Sequence, residues 1–389
     1  MTGSEFTARL AGRAFDIGRV AWNVCAGVEN PFTRYEFFDA VEGSGSATAK
    51  TGWRPLHLVV EREGRIEGIL PLYLKNHSQG EYVFDHAWAD ALERAGGDYY
   101  PKLQASVPFT PATGRRMLIA PGVDETAMRA ALLSTGANAV KELHASSLHI
   151  TFLTGEEWRA AGEAGYLLRT DQQFHWENRG YTSFDQFLGE LNSSKRKNLR
   201  KEREAVRAEG FEFDWLTGSD LTEAVWDIFF AFYMDTGGRK WGHPYLTREF
   251  FSRVGASMAD QILLVMAKRN GRYIAGALNF FGDGILYGRN WGCSEFVPFL
   301  HFETCYYQAI EFAIARGLRK VEAGAQGEHK LLRGYLPTRT YSAHYIAHPG
   351  LRRAVDDYLT REREAVTEHI DELAEHGPFR KTESDHGER

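Results

Sequence analysis

Cysteine is scarce in this chain, and the pairings it lacks are informative. Cys25, Cys293 and Cys305 stand far apart with no C-x-x-C pair, which excludes a disulfide framework and the usual zinc knuckles and fits a reducing compartment. No apolar run approaches the roughly 18 residues that a spanning helix needs. The opening MTGSEFTARLAGRAF lacks the apolar centre of a signal peptide, so a cytoplasmic protein is expected. A G-x-S-x-G elbow, a Walker A loop and a G-x-G-x-x-G turn after a strand are also missing, which argues against a serine hydrolase, a P-loop ATPase and a dinucleotide enzyme. Excess positive charge is absent too. The net charge is −6 and the pI about 6.2, so nucleic acid would not be bound through bulk electrostatics, and any anion site has to be built locally.

What is present is an ordinary soluble mixture, 43% apolar and 25% charged over 389 residues, long enough for two domains. His57–Glu61, a turn at Glu63-Gly64-Arg65 and Ile69–Leu74 form a hairpin signature. Ile262–Ala267, the turn Asn270-Gly271-Arg272 and Ala277–Phe281 repeat it two hundred residues later. There a further turn, Gly282-Asp283-Gly284, leads to Ile285–Arg289 and completes a three-strand meander. Phe302, Tyr306, Ala309, Ile310, Ala313 and Ile314 keep helical spacing up to Gly317. A strand at Lys320–Ala323, a short helix at Glu328–Arg333 and a strand at Tyr341–Ala347 follow. The first half has the same order in Lys102–Val107, a helix from Asp124 to Leu143, Leu148–Phe152, a helix Glu156–Ala164 and extended Leu167–Phe174. Duplication is the economical reading. It places domains at 1–178 and 179–350, a charged C-terminal helix at 351–376 and a disordered tail at 377–389.

These elements are ordered as in the Gcn5-related N-acetyltransferase fold. LPLYLKNHSQGEYVFDHAWADA (70–91), YYPKLQASVPFTPATGRR (99–116), QFHWENRGY (173–181), NSSKRKNLRKERE (192–204), NWGCSEFVPFLHFETCYYQAIEFAIARGL (290–318) and EAGAQGEHKLLRGY (322–335) resemble the FemAB-like group of N-acyltransferases. The resemblance implies an α/β protein of two tandem acetyltransferase-like domains, with mixed, mostly antiparallel central sheets flanked by helices. It implies amide formation by direct transfer from aminoacyl-tRNA or acyl-CoA to a small-molecule or peptide amine, with tRNA as one partner and no permanently bound cofactor. The usual acetyltransferase pyrophosphate signature is not found between the last meander strand and the helix, where Asn290–Phe299 stands instead. The alternative reading is a non-catalytic module that binds a peptidoglycan-type peptide or precursor.

Acyl transfer to an amine needs a proton acceptor, an oxyanion site and a place for the donor's phosphates. Lys195, Arg196, Lys197 and Arg200 crowd the start of a helix that Ser193 or Ser194 would cap, where cations oppose the macrodipole. They read as an anion site, or as a solvated face balanced by Glu202, Glu204 and Glu209. Glu322, Gln326, Glu328, His329, Lys330 and Arg333 gather at a strand end and helix start. Glu328 or His329 is the expected proton acceptor, His301 faces the same cavity, and Lys330 and Arg333 are expected to contact donor phosphate or substrate carboxylate. Arg289, Asn290 and Trp291 complete this cleft. A structural ion-pair network is the competing explanation. In the first half, Lys75, His77, Glu81, Asp85 and Lys102 form a polar run at a strand exit, expected by analogy with the Fem enzymes to receive the acceptor. His77, Asp85 and His86 match no standard metal spacing, so no metal is expected.

Overall fold

The computed structural model describes residues 6–241, 244–324 and 327–380. Gln326 lies outside these residues, and so do the side chains of Trp241 and Glu328. In chain order the strands are β1 (Thr7–Ala11), β2 (Trp53–Pro55), β3 (His57–Arg62), β4 (Arg65–Leu70), β5 (Tyr73–Lys75), β6 (Lys102–Ala105), β7 (Leu118–Ile119), β8 (Ser147–Thr151), β9 (Leu167–Glu177), β10 (Phe211–Leu216), β11 (Ile262–Arg269), β12 (Arg272–Gly282), β13 (Ile285–Cys293), β14 (Lys320–Glu322) and β15 (Leu336–Ile346). They form mixed, mostly antiparallel sheets flanked by helices. Two compact units divide the chain. The first joins Met1–Asp171 with Tyr245–Met258 and Arg339–Thr367, and the second joins Gln172–Pro244 with Ala259–Thr338 and Glu368–Arg389.

In the first unit β15, β8, β6, β5 and β2 lie side by side, with β8 and β6 parallel and the other pairs antiparallel. A second sheet of β1, β3, β4 and β7 is antiparallel throughout. Leu58, Val60, Leu103, Leu148 and Ile150 pack beneath the helix Glu125–Glu142, against its Met128 and Leu132. Burying a side chain of this size stabilises by about 1.5–3 kcal/mol. Asp124 caps that helix by accepting from the Ala127 N–H. The run expected as one strand over Ile69–Leu74 is broken at Pro71, which has no N–H for a ladder: β4 ends before it and β5 begins after it.

In the second unit the order is β10, β11, β12, β13, β14 and β9, with β13 and β14 parallel. Asn270-Gly271 and Asp283-Gly284 make the hairpin turns with positive φ at both residues, as Glu63-Gly64 does in the first unit; that geometry matches strand twist. The hairpins β3–β4 and β11–β12 also carry a register shift at the same offset from the turn, Val60/Glu61 and Ala267/Lys268. The outer neighbour of β14 is β9, which precedes the rest of this unit. In the first unit the neighbour of β8 is β15, from the far end of the chain. Gly377–Arg380, expected in a disordered tail, are described: the Pro378 carbonyl accepts from the Asn192 N–H, and Arg179 lies 4.4 Å over the Phe379 ring. Residues 381–389 lie outside the description.

Candidate active site

Parallel pairing between β13 and β14 lasts only from Ile285↔Lys320 to Tyr287↔Glu322, after which β13 runs on to Cys293 without it. The strands part at that point. On the other edge of β13, Leu278 faces Asn290 but Asn279 faces Gly288, so Arg289 is an extra residue in a β-bulge. The packing shows the same shift. Leu286 and Trp291 belong to one core cluster although they are an odd number of residues apart, and Gly292 turns the other way, toward Phe232. Strand alternation allows this only if two successive residues around Arg289 share a face, and the register puts Asn290 on the face of Tyr287. Val321 is in the same cluster as Leu286, so its neighbour Glu322 also faces the Tyr287 side.

The gap holds a cavity of about 110 Å³, lined among others by Arg289, Trp291, His301, Cys305, Tyr306 and Glu322. Glu322 is 4% exposed. Its Oε1 lies 3.5 Å from Lys320 and its Oε2 3.9 Å from His175, whose pKa burial depresses most, to about 3, so that ring is neutral. Past Tyr287 the ladder between β13 and β14 stops.

The helix that closes the gap spans Leu300–Ala315 and widens to a π-helical turn at Glu303–Tyr307. Its local cause is Thr304, whose hydroxyl donates to the Leu300 carbonyl at 2.8 Å and competes with the main chain. Such turns recur at functional sites. Here the turn brings His301 and Tyr306, five residues apart, to ring contact at 5.4 Å, with Trp291 5.1 Å from His301. The Tyr306 hydroxyl is 3.1 Å from His329 Nε2. Burial raises the Tyr306 pKa; burial and then the Arg333 and Lys330 cations lower that of His329. At neutral pH the pair is therefore a phenol beside a neutral imidazole.

Arg333 and Lys330 are both engaged. Arg333 lies 3.6 Å over the Phe302 ring, pairs with Glu202 at 2.7 Å and donates to the His329 carbonyl. Lys330 donates to the Ala323 and Gly324 carbonyls at 2.6 and 3.1 Å, and burial lowers its pKa to about 8. The basic helix, Ser193–Ala208, is capped by Asn192 rather than by Ser193 or Ser194; Asn192 has the extended backbone of a cap and accepts from the Lys195 N–H. Its inner face is structural. Arg203 makes bidentate pairs with Glu303 and Glu311 at 2.8–3.0 Å, and Glu202 accepts from Tyr307 and Arg333. Lys197 and Arg200 are exposed, Lys195 and Arg196 half-buried. Arg200 lies 3.6 Å from Asp185, and Arg196 reaches the Gly189 carbonyl at 3.5 Å.

Lys75, Glu81, Asp85 and Lys102 come together in the first unit, but as a buried ion cluster. Lys102 donates to Ser78 and Glu81 at 2.7 Å and to Asp85. Lys75 sits 3.7 Å above the Trp53 ring and donates to the Gln79 carbonyl. Behind them Tyr99 donates to Asp85, and His149 meets His344 at 2.7 Å. His77 lies at the edge, 3.0 Å from the Thr51 carbonyl. Burial pulls Lys75 down to about 7 and pushes Glu81 up to about 7. Burial also opposes the charge on Asp85, but the attraction of Lys102 outweighs it and holds that carboxyl below its usual range.

Of the residues singled out in the sequence, Arg289, Asn290, Trp291, His301 and Glu322 line one cavity. Tyr306 and Cys305 join them without having been foreseen, because helical spacing assigned Tyr306 to the core. His149 and His344 were missed too; each belongs to a strand whose polar side chain becomes buried only through tertiary pairing.

Antiparallel strands around one parallel pair that parts beside a bulge, with helices on the faces, are the architecture of the Gcn5-related acyltransferases. The family model described as "FemAB_like: peptidoglycan biosynthesis/recognition" matches residues 14–381, and the chain belongs to that family. No curated protein matches it significantly. Among solved structures it is similar to FemX, at 12% identity and TM-score 0.54 over 90% of this chain and 100% of the other. It is similar also to the C-terminal domain of a putative lysylphosphatidylglycerol synthetase from Agrobacterium fabrum, at 9%, 0.54, 89% and 96%, and to L-PGS from Bacillus licheniformis, at 11%, 0.51, 86% and 98%. At these identities the likeness is one of fold. Among the described residues no helix is long and apolar enough to cross a membrane.

Proposed function

We propose that the protein is an N-acyl or N-aminoacyl transferase of two tandem acetyltransferase-like domains, working in the gap between β13 and β14. The observation that carries this reading is the buried Glu322 carboxylate in the same small cavity as the Tyr306 phenol, at the point where the strands part. The substrate nitrogen attacks the acyl carbon, a C–N bond forms, and the C–S or C–O bond to the donor breaks. Glu322 accepts the amine proton. Tyr306 donates to the leaving sulfur or oxygen and is reprotonated through His329. The parted β13 amides hold the oxyanion. Glu328 stays a further candidate for the base. The donor is aminoacyl-tRNA or acyl-CoA, and the exposed Lys197 and Arg200 with the half-buried Lys195 and Arg196 are proposed for its phosphates.

Recognition of a peptidoglycan-type peptide without catalysis is the second reading, favoured by the word "recognition" in the family's description. Thermal unfolding with acyl-CoAs, aminoacyl-tRNAs and UDP-linked peptidoglycan precursors separates donor from peptide. A donor that stabilises the wild type by several degrees, and the Arg196→Ala/Arg200→Ala variant by none, supports the transferase. Stabilisation by a precursor alone supports recognition.

A further inference from the structure

Between the end of β13 at Cys293 and the helix that starts at Leu300 runs the loop Ser294-Glu295-Phe296-Val297-Pro298-Phe299. The Ser294 N–H donates to the Ile274 carbonyl at 2.9 Å and the Leu300 N–H to that of Val297 at 3.3 Å, so the loop is pinned at both ends. Phe296 is nonetheless 88% exposed, more than any other large apolar side chain among the described residues, and Phe299 is 39% exposed. Phe299 also holds φ at +66°, a left-handed backbone that is costly for a bulky residue and cheap for glycine or asparagine. Burial does not offset that cost, and strain of this kind collects at ligand contacts. From Phe299 a line of rings leads inward. The half-buried Phe302 has its centroid 6.4 Å from Phe299 and 6.1 Å from Tyr306, on which it stacks at 21°. Tyr306 lines the cavity. Arg333, 3.6 Å over the Phe302 ring, holds that ring from the short helix Glu328–Arg333.

We propose that the acyl group transferred is extended and apolar, its carbonyl carbon in the cavity and its chain running outward along Tyr306, Phe302 and Phe299. This rests on the transferase reading of the cavity and names the class of acyl group. The bond changes are those of that transfer: the C–N bond forms, the C–S or C–O bond to the donor breaks, and the chain itself is unaltered. Tyr306 is the group assigned to the leaving atom, so the rings that continue from it belong to the donor rather than to the amine. The leaving CoA or tRNA is polar and anionic and matches no row of phenyl rings; an apolar acyl group does. A short polar acyl group such as acetyl or seryl would not reach past Tyr306 and would leave both outer rings in water. A chain of several methylenes would cover them, and each methylene removed from water favours binding by up to about fourfold. A fatty acyl thioester and an apolar aminoacyl ester both supply this chemistry.

Binding titrations of the wild-type chain, with no amine present, test this and separate the two sources. One arm uses acetyl-, butyryl-, octanoyl- and dodecanoyl-CoA; the other uses leucyl- and seryl-tRNA, each compared with its own uncharged tRNA. Dodecanoyl-CoA is expected to bind at least ten times tighter than acetyl-CoA if the donor is a thioester. If it is an aminoacyl ester, charging is expected to strengthen binding of the leucine tRNA several-fold and of the serine tRNA little. Phe299→Gly and Phe302→Ala are each expected to flatten that preference to less than threefold. Glycine takes positive φ freely, so Phe299→Gly is expected to unfold no lower than wild type; Phe299→Asn, which also tolerates that backbone, serves if it does. Equal affinity for all chain lengths together with equal effects of charging on the two tRNAs, a preference unchanged in the Phe299 and Phe302 variants, or no binding by any probe would overturn the proposal. A preference for the apolar chain without amide formation leaves the acyl site standing and the transferase reading fallen; amide formation indifferent to the acyl chain does the reverse.

Discussion

Replacing Lys102 by methionine tests what holds the interior of the first unit. The ammonium meets Ser78, Glu81 and Asp85, and all four side chains are nearly excluded from water. Methionine keeps the apolar stem, so little packing is lost. What remains is two buried carboxylates facing Lys75, which lies 3.7 Å from Glu81. Removing one partner of a buried ion pair costs about 3–5 kcal/mol, and at about 2–4 °C per kcal/mol for a unit of this size the melting temperature should fall by roughly 6–20 °C. The pH dependence has a definite sign. The Asp85 pKa is depressed in the folded protein, so its contribution is present above the unfolded value of about 3.9 and lost as pH falls through the folded one. The Glu81 pKa is raised to about 7, so its contribution is present below the unfolded value and lost as pH rises through 7. The Asp85 share of the gap between wild type and Lys102→Met should therefore be full above about pH 4 and shrink as the pH falls below that value. Adding Glu81→Gln and Asp85→Asn should restore much of the loss. Urea unfolding between about pH 2 and pH 7 measures it. A loss under about 1 kcal/mol, or one independent of pH, would refute the reasoning.

Gly292→Ala should destabilise the second unit by about 1–3 kcal/mol, since a Cβ there would meet the carbonyl carbon and oxygen of Phe232, on the helix Glu223–Trp241, at 2.3 Å; an unchanged melting temperature would mean that β13 and this helix can separate freely. Cys305→Ala should leave the transfer rate within a few-fold of wild type, because direct attack needs no thiol; loss of activity, with an acyl group trapped on Cys305 in the wild type, would indicate a covalent route.

Local chemistry made much of the fold legible. The turns at Glu63-Gly64, Asn270-Gly271 and Asp283-Gly284 require positive φ at two successive residues, so their hairpins could be read directly from residue type. Pairing partners could not. Which strand lies beside β8 or β14 depends on distant segments, and nothing in β9 or β15 alone specifies it. Lys75, Glu81, Asp85 and Lys102 read as a cleft because polar residues after a strand usually meet solvent; their burial follows from four charges neutralising one another. Glu322, His301 and Trp291 were recognisable from their position at element ends. Tyr306 was hidden because its spacing is that of a core residue, and the π-turn that redirects it arises from a Thr304 hydrogen bond that no periodicity reveals. The bulge at Arg289 did leave a trace, the odd spacing between apolar Leu286 and Trp291.

The most direct measurement is amide formation, followed by mass spectrometry, with purified protein, labelled acyl-CoA or aminoacyl-tRNA, and a panel of small-molecule and peptide amines, comparing wild type with Glu322→Gln. A new amide is expected from the wild type with at least one donor. Its kcat should fall by about a hundredfold or more in the variant, the scale of a lost general base, while the KM for the donor changes little. No amide with any pair, or a Glu322→Gln variant as fast as wild type, would contradict a transferase built on the parted strands.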